Sequence, residues 1–169
     1  MIKKRIFKLR DQFKNYNIDG YVIPKNDEFF SEYSNKDRLK FITNFTGSAG
    51  YAVILKNRNY LFVDGRYTIQ AQLESGDNFK IVKYEKIINC NLFKNLTLGI
   101  NPKLFTTNQI KKFFLKNNKI KFISFDLIDK ILNKKSNTFQ LFYSLDDKIV
   151  GEKYKKKIFK VRKFLRKKK

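Results

Sequence analysis

The sequence predicts an α/β fold in which a mixed β-sheet is flanked by helices. Two apolar runs, residues 51–55 and 60–63, are joined by a short polar break and are typical of a hairpin. Strand and helix patterns then alternate through the second half of the chain, which indicates that part of the sheet is parallel. Apolar side chains make up 42% and aromatic side chains 16% of the 169 residues, enough to bury a core.

The first third of the chain predicts one helix, one strand and one polar loop. Residues 2–14 form an amphipathic helix, whose apolar face carries Ile2, Ile6, Leu9 and Phe13. Residues 21–23 form a buried strand that Pro24 stops, since proline cannot donate to a ladder. Residues 25–37 are a loop or broken helix bearing Asp27, Glu28 and Glu32. Such a loop is often a functional surface, and a solvated connector with buried rings is the alternative.

The middle of the chain predicts a helix and two further strands. Asp64 is placed to cap a helix that carries Ile69 and Leu73 on its inward face and ends at Gly76. Residues 79–84 and 96–100 then read as strands, because their apolar side chains alternate or run together between turn signals.

After residue 100 the pattern predicts helix, strand and helix. Thr106 or Thr107 caps a helix whose inward residues are Ile110, Phe113 and Phe114. A strand follows at residues 120–125. Asp126 and Asp129 have the spacing of a capping box and open a short helix with an apolar face formed by Ile128, Ile131 and Leu132.

Residues 151–169 predict a separate, strongly basic helix. One row of apolar residues recurs at helical spacing and the other faces are rich in lysine: Tyr154, Ile158, Val161 and Leu165 form this row. Three interpretations stay open: a membrane-surface helix, an RNA-binding helix, or a helix that packs on its own domain or leads into whatever follows.

The formal net charge of +23 raises the question of nucleic acid. Lysines are spread through nearly every segment, together with many Asn, Ile and Phe, as an AT-rich coding sequence would produce. No zinc finger or RNA-recognition motif occurs. A solvated basic surface is therefore expected, and a specific nucleic-acid function is not.

The residues for catalysis are largely missing from the sequence. The chain has no histidine, which excludes Ser-His-Asp and Cys-His catalysis and every histidine-containing metal site. The single cysteine, Cys90, has no base nearby and is interpreted as a core or boundary residue. No apolar run reaches the roughly 18–20 residues of a membrane span, and no signal core precedes the first helix. We expect a cytoplasmic protein.

Two glycine turns are the most distinctive local features. Residues 46–50, Thr-Gly-Ser-Ala-Gly, lack the lysine of a Walker loop and precede a strand instead of a helix. They are interpreted as a backbone feature, in which glycine permits positive φ or close approach. Asp64-Gly65-Arg66 is interpreted in the same way, as a turn with a helix cap.

Taken in order, a set of motifs resembles the N-terminal domain of Xaa-Pro aminopeptidases (aminopeptidase P), a domain of the creatinase/prolidase type. The resemblance covers essentially the whole chain. The matching segments are Pro24–Tyr33, Arg38, Asn44–Gly50, Asp64–Tyr67, Gln70-Ala71, Gly99–Pro102 and Asp126–Asp129.

Four positions depart from the family pattern. Phe29 stands where the family usually has His, Phe62 and Leu132 where it has Trp, and Asn101 where it has Asp. The apolar replacements at Phe62 and Leu132 keep a core role. The replacement at Phe29 removes the basis for expecting a polar contact there.

The resemblance implies a division of labour. Family members hold two divalent metal ions, typically Mn²⁺, in a C-terminal catalytic domain, and the N-terminal domain helps assembly and restricts access to the active site. None of the catalytic positions occurs in this chain, so no catalytic, cofactor or metal residue is assigned. We expect a non-catalytic domain at residues 1–150 and a basic helix at 151–169 that leads toward an absent following domain. The alternatives are a basic module that binds nucleic acid or an anionic surface, and a degenerate gene remnant.

The resemblance also implies partners: a separately encoded catalytic domain or further copies of this chain, with proline-containing peptides reached only through that domain. The interface or structural candidates are Asp27, Glu32, Tyr33, Arg38, Gly47, Ser48, Gly50, Asp64, Gly65, Arg66 and Tyr67.

Overall fold

A computed structural model describes residues 1–31, 36–88, 91–132 and 143–167. The predictions for Glu32, Tyr33 and Cys90 fall outside these ranges. The chain divides into two compact units, Met1–Lys135 and Ser136–Lys169. The predicted boundary at residue 150 stays a prediction.

The first unit contains a six-stranded mixed sheet. Its strands are β1 (Gly20–Pro24), β2 (Gly50–Leu55), β3 (Asn59–Val63), β4 (Lys80–Lys83), β5 (Thr97–Ile100) and β6 (Lys119–Phe122). The order across the sheet is β4-β3-β2-β1-β5-β6. β2 runs antiparallel to both β1 and β3, whereas β3–β4, β1–β5 and β5–β6 are parallel. The α/β class and the hairpin are thereby confirmed.

Helices cover the sheet on both faces. In the first unit they are α1 (Ile2–Asp11), α2 (Arg38–Thr43), α3 (Thr68–Ser75), α4 (Thr107–Ile110) and α5 (Leu127–Leu132). Short 3-10 turns lie at Gly65–Tyr67, Gly76–Asn78, Tyr84–Ile87 and Pro102–Leu104, and a π-helical turn spans Lys111–Leu115. The second unit contains α6 (Asp147–Val150) and α7 (Tyr154–Arg166).

The sheet separates two apolar cores, because successive side chains of a strand point to opposite faces. On β1, Tyr21 and Ile23 enter one core while Val22 enters the other. The first core also contains Ile2, Ile6, Leu9 and Phe13, all buried as predicted. The helix predicted over residues 2–14 ends at Asp11, so Phe13 lies in the turn that follows it. Both faces of β1, β2 and β3 are thus buried, which explains their nearly continuous apolar runs.

Three local predictions are wrong. The inward residues predicted for α3, Ile69 and Leu73, are 76% and 80% exposed, and Ala71 and Ser75 are buried instead. Asp64 caps the 3-10 turn Gly65–Tyr67, one turn before α3 begins. The strand predicted at residues 120–125 ends at Phe122.

The structure explains how three of the four departures from the family pattern are accommodated. Phe62 is fully buried and Leu132 packs against the first core, as expected of replacements that keep a core role. Asn101 is buried and its Oδ1 accepts the Lys103 N–H at 3.1 Å, so it caps the turn that follows β5. Across the described ranges, every helix is too short or too polar to cross a bilayer.

Candidate interface at the carboxyl edge of the sheet

The two glycine turns lie side by side at one edge of the sheet. β2 and β3 pair antiparallel with Gly50 opposite Val63, so the turn entering β2 meets the turn leaving β3. The Ser48 Oγ and the Tyr67 hydroxyl are 2.9 Å apart and join them by a hydrogen bond. The two glycine turns therefore form one surface feature, although 14 residues separate Gly50 from Asp64 in the sequence.

Close packing explains two of the three glycines. A Cβ on Gly47 would lie 2.2 Å from Cζ of the buried Phe45 ring, and a Cβ on Gly50 would lie 2.9 Å from the Phe62 carbonyl oxygen. A Cβ on Gly65 would meet no atom within 4 Å. The interpretation as a backbone feature therefore applies to Gly47 and Gly50 by close approach, and not to Gly65.

Asp64 and Arg66 form an exposed ion pair on this edge. The Asp64 Oδ1 accepts the backbone N–H of Arg66 at 3.0 Å and its Nε–H at 2.9 Å. These bonds lower the pKa of Asp64 and, with its charge, raise the pKa of Arg66. The pair fixes the turn while both charges stay accessible to a partner.

A cleft of about 570 Å³ opens beside these turns. Its walls come from the ends of β1, β3 and β4 and from the start of β2, the edge where open α/β sheets hold their ligands. The residues that line it are Lys25, Asn26, Phe30, Ser31, Ser48, Ala49, Gly50, Tyr51, Asp64 and Tyr84. Tyr51 and Tyr84, with ring centroids 5.5 Å apart, give it an aromatic wall.

Asp27 organises a tight loop at the mouth of the cleft. Its Oδ1 accepts the N–H groups of both Phe29 and Ser31 at 2.9 Å. Phe30 adopts a φ of 58°, which is unusual for a bulky residue. The loop holds Phe29 outward with 89% of its surface exposed. A loop so fixed that presents an aromatic ring to solvent is suited to contact another protein surface.

Arg38 is a buried residue that connects the loop around Asp27 to α5. Its side chain is buried and donates to Asp129 through Nε (2.9 Å) and Nη2 (2.8 Å), and to Glu28 through Nη2 (2.6 Å). Asp126 lies 3.9 Å from Nε. Burial lowers the pKa of Arg38, but the hydrogen bonds to Asp129 and Glu28 outweigh it, so the pKa is raised overall. Arg38 therefore ties the Asp27 loop to α5.

Asp126 and Asp129 occupy contrasting environments. Asp126 is buried, accepts the Ile128 N–H at 2.8 Å and the Tyr21 hydroxyl at 3.1 Å, and burial raises its pKa to about 6 in spite of Arg38. Burial also acts to raise the pKa of Asp129, but its bonds to Arg38 outweigh this and the pKa is lowered. The capping box is therefore wrong: Asp126 alone caps α5, and Asp129 is the main partner of Arg38.

Sequence reasoning missed α2 and the partners of Arg38. The helix had a signal, since Asp37 accepts the Lys40 N–H at 2.9 Å as a cap, and Leu39 and Ile42 follow at helical spacing. The Arg38–Asp129 pair had none, because 91 residues separate its members.

The carboxylates of this edge do not fit a metal centre. Throughout the described parts of the chain, no three Asp, Glu or Cys side chains form a group able to hold a metal ion. Where Glu28, Asp126 and Asp129 approach one another, the guanidinium of Arg38 supplies the positive charge. We therefore derive no metal-dependent step from these residues.

Comparison with known proteins agrees with this fold. The family model described as "Creatinase/Prolidase N-terminal domain" matches residues 5–131. The chain belongs to the creatinase/prolidase N-terminal domain family. The family predicted from the ordered motifs is thus confirmed.

Within this family, the chain is similar in sequence to Xaa-Pro aminopeptidases. The chain is 30% identical to a probable Xaa-Pro aminopeptidase P of Laccaria bicolor, covering 98% of this chain and 28% of that protein. It is 31% identical to Xaa-Pro aminopeptidase 1 of Dictyostelium discoideum, covering 98% of this chain and 30% of that protein. The chain thus spans less than a third of the length of these relatives.

Solved structures show the same fold. An X-prolyl aminopeptidase of Caenorhabditis elegans, described as a cytosolic enzyme with a di-nuclear active site, matches with a TM-score of 0.70 at 24% identity, over 99% of this chain and 32% of that one. The N-terminal domain of the cytoplasmic peptidase PepQ of Mycobacterium tuberculosis matches with a TM-score of 0.57 at 18% identity, over 76% of this chain and 98% of that one.

Proposed function

We propose that this chain acts as the non-catalytic N-terminal domain of a Xaa-Pro aminopeptidase-like metallopeptidase, and that it contributes to assembly and to access to the active site. One observation carries this proposal: 98% of the chain aligns with Xaa-Pro aminopeptidases, and the aligned part is 28% to 30% of the length of those relatives. The metal ions and the catalytic residues belong, in this proposal, to a catalytic domain outside the described residues. By analogy with the cytosolic relative, the assembly works in the cytosol.

The surface proposed for this role is the edge formed by the Asp27 loop, the cleft and the Asp64–Arg66 turn. Phe29 supplies an exposed ring, and Asp64 and Arg66 supply exposed charges of both signs. Arg38 fixes the loop from below, so the surface is preorganised and loses little entropy when a partner binds. The partner is a catalytic metallopeptidase domain or a second copy of the chain, and proline-containing peptides are reached through that domain.

The first experiment tests catalysis by the chain alone. The purified chain is incubated with a Xaa-Pro peptide and Mn²⁺, and release of the N-terminal residue is followed. We expect no release above the buffer control. Metal-dependent turnover that survives repurification would overturn the proposal.

The second experiment tests the surface in a working enzyme. The matching segment of the Laccaria bicolor relative is replaced by this chain, and the chimera is compared with its Phe29→Ser and Phe7→Ser variants. Phe7 is a matched control, because it is also an exposed phenylalanine (72%) but lies on α1. We expect Phe29→Ser to change KM or oligomeric state and Phe7→Ser to change neither. Equal behaviour of the two variants would remove this edge from the proposal.

A further inference from the structure

Helix α7 displays an unpaired row of apolar side chains. Its four members recur at spacings of three and four residues, and therefore lie on one side of the helix. They are well exposed: Tyr154 at 67%, Ile158 at 47%, Val161 at 58% and Leu165 at 59%. In a row of this kind each side chain keeps apolar surface in water that a suitable partner would cover.

Basic side chains surround this row. The helix carries no acidic residue, and its cations are Lys155, Lys156, Lys157, Lys160, Arg162, Lys163 and Arg166. The acid nearest in sequence, Glu152, forms ion pairs with Lys160 at 2.7 Å and Lys156 at 3.7 Å, and these bonds lower the pKa of Glu152. One carboxylate cannot neutralise seven cations, so a strong positive field flanks the apolar row.

The occupant must satisfy both features. RNA would neutralise the cations and leave the apolar row in water. A second copy of α7 would cover the apolar row but would bring two sets of like charges together. An anionic bilayer accepts apolar side chains below its headgroups and attracts lysine and arginine at its surface.

We infer that α7 binds the surface of an anionic lipid bilayer. The helix lies in the plane of the interface with Ile158, Val161 and Leu165 below the headgroups. Its 13 residues correspond to roughly 20 Å, too short to span the hydrocarbon layer of about 30 Å. Binding is reversible, because a single amphipathic helix buries little apolar area, and it weakens as salt screens the lysines.

The test measures partition of the full chain onto vesicles. Vesicles of phosphatidylcholine alone and of phosphatidylcholine with phosphatidylserine are floated with the protein. We expect binding to the anionic vesicles and little to the neutral ones. Exchanging both Lys155 and Lys157 for Gln weakens binding by about fivefold per charge removed.

Charge alone could draw a basic chain to anionic vesicles, so the decisive variant keeps every charge. The triple variant Ile158→Ala, Val161→Ala and Leu165→Ala retains helix-forming residues, which circular dichroism verifies. We expect its partition to fall more than tenfold. The control is Ile69→Ala with Leu73→Ala on α3, apolar residues outside α7 that are even more exposed (76% and 80%), and it binds like the parent.

Two outcomes would overturn the inference. One is a triple variant that binds anionic vesicles as tightly as the parent, since binding would then be unspecific charge attraction. The other is α7-dependent binding of RNA, measured by fluorescence anisotropy, with no α7-dependent partition onto vesicles. Neither outcome bears on the chimera experiment, which contains no lipid.

Discussion

Arg38 is the residue on which the candidate edge depends most. Its cation is buried among carboxylates that belong to the Asp27 loop and to α5. Burying a charge is costly, and the cost is offset only while its partners are in place. Removing the arginine takes the nearby cation away from the buried Asp126 and leaves Asp129 with its longer ion pair to Lys36, at 3.5 Å.

Arg38→Ala is therefore expected to lower the free energy of unfolding by about 3–5 kcal/mol. The matched control is Arg66→Ala, because Arg66 also pairs with an aspartate but its side chain is 76% exposed. The control should leave the free energy of unfolding close to that of the parent, because an exposed ion pair contributes little. Urea unfolding followed by circular dichroism measures both, and similar losses for the two variants would contradict the role given to Arg38.

The raised pKa of Asp126 leads to a second prediction for a single residue, on the pH dependence of stability. Its folded pKa of about 6 exceeds the ordinary 3.8, so the folded protein holds this proton more tightly than the unfolded chain. The stability it contributes is full below about pH 4 and is lost as pH rises through 6, by about 3 kcal/mol in total. Carboxylates with lowered pKa, such as Asp129, act in the opposite direction.

Asp126→Asn removes only the Asp126 contribution, because the amide oxygen can still accept the Ile128 N–H. The parent's advantage over this variant should therefore be larger at pH 4 than at pH 7. Urea unfolding of both proteins across that range isolates the difference from the effects of other carboxylates. A constant difference between the two proteins would show that Asp126 titrates normally.

Among the secondary-structure elements, α3 and the glycine turns show that small residues lie where the backbone packs closely against its neighbours. α3 rests on the sheet through Ala71 and Ser75, whose small side chains allow close approach, and this rotation directs Ile69 and Leu73 to solvent. The pairs Ile69/Leu73 and Ala71/Ser75 have the same i, i+4 spacing. The spacing therefore predicts a helix, but it does not predict which side of the helix faces the core. Hydrophobicity favoured the wrong side.

The glycine turns give the prediction at this scale. Gly47→Ala places a methyl group against the buried Phe45 ring and should cost about 1–3 kcal/mol of stability. Gly65→Ala is the matched control, since its methyl group would meet open space. Thermal unfolding should separate the two variants by several degrees. A Gly65→Ala loss as large as that of Gly47→Ala would refute the packing argument.

For the whole molecule, stability resides in the first unit. Among the described residues, every buried apolar side chain lies between Ile2 and Ile128. The residues at 143–167 are all exposed, except for Glu152, which is partly buried. A chain ending at Lys135 should therefore keep the urea midpoint of the full chain. A clear fall in that midpoint would show that the second unit stabilises the first.

The sequence by itself determined the fold class, the hairpin, α1 with its three buried residues, and the family. These depend on local periodicity and on contiguous motifs, which the order of residues contains directly. Leu127–Leu132 was also recognisable as a helix, since Asp126 precedes an apolar row. The interface candidates were named from the same motifs, and their role stays a prediction.

Only the tertiary structure decided what these residues do together. Asp129 looked like a cap three residues from Asp126, yet it pairs with an arginine 91 residues away, because α2 and α5 pack on the same face of the sheet. The Asp27 loop meets the glycine turns for a similar reason, as β1, β2 and β3 bring their ends to one edge. Such contacts arise from long-range packing, and a single sequence carries no local signal for them.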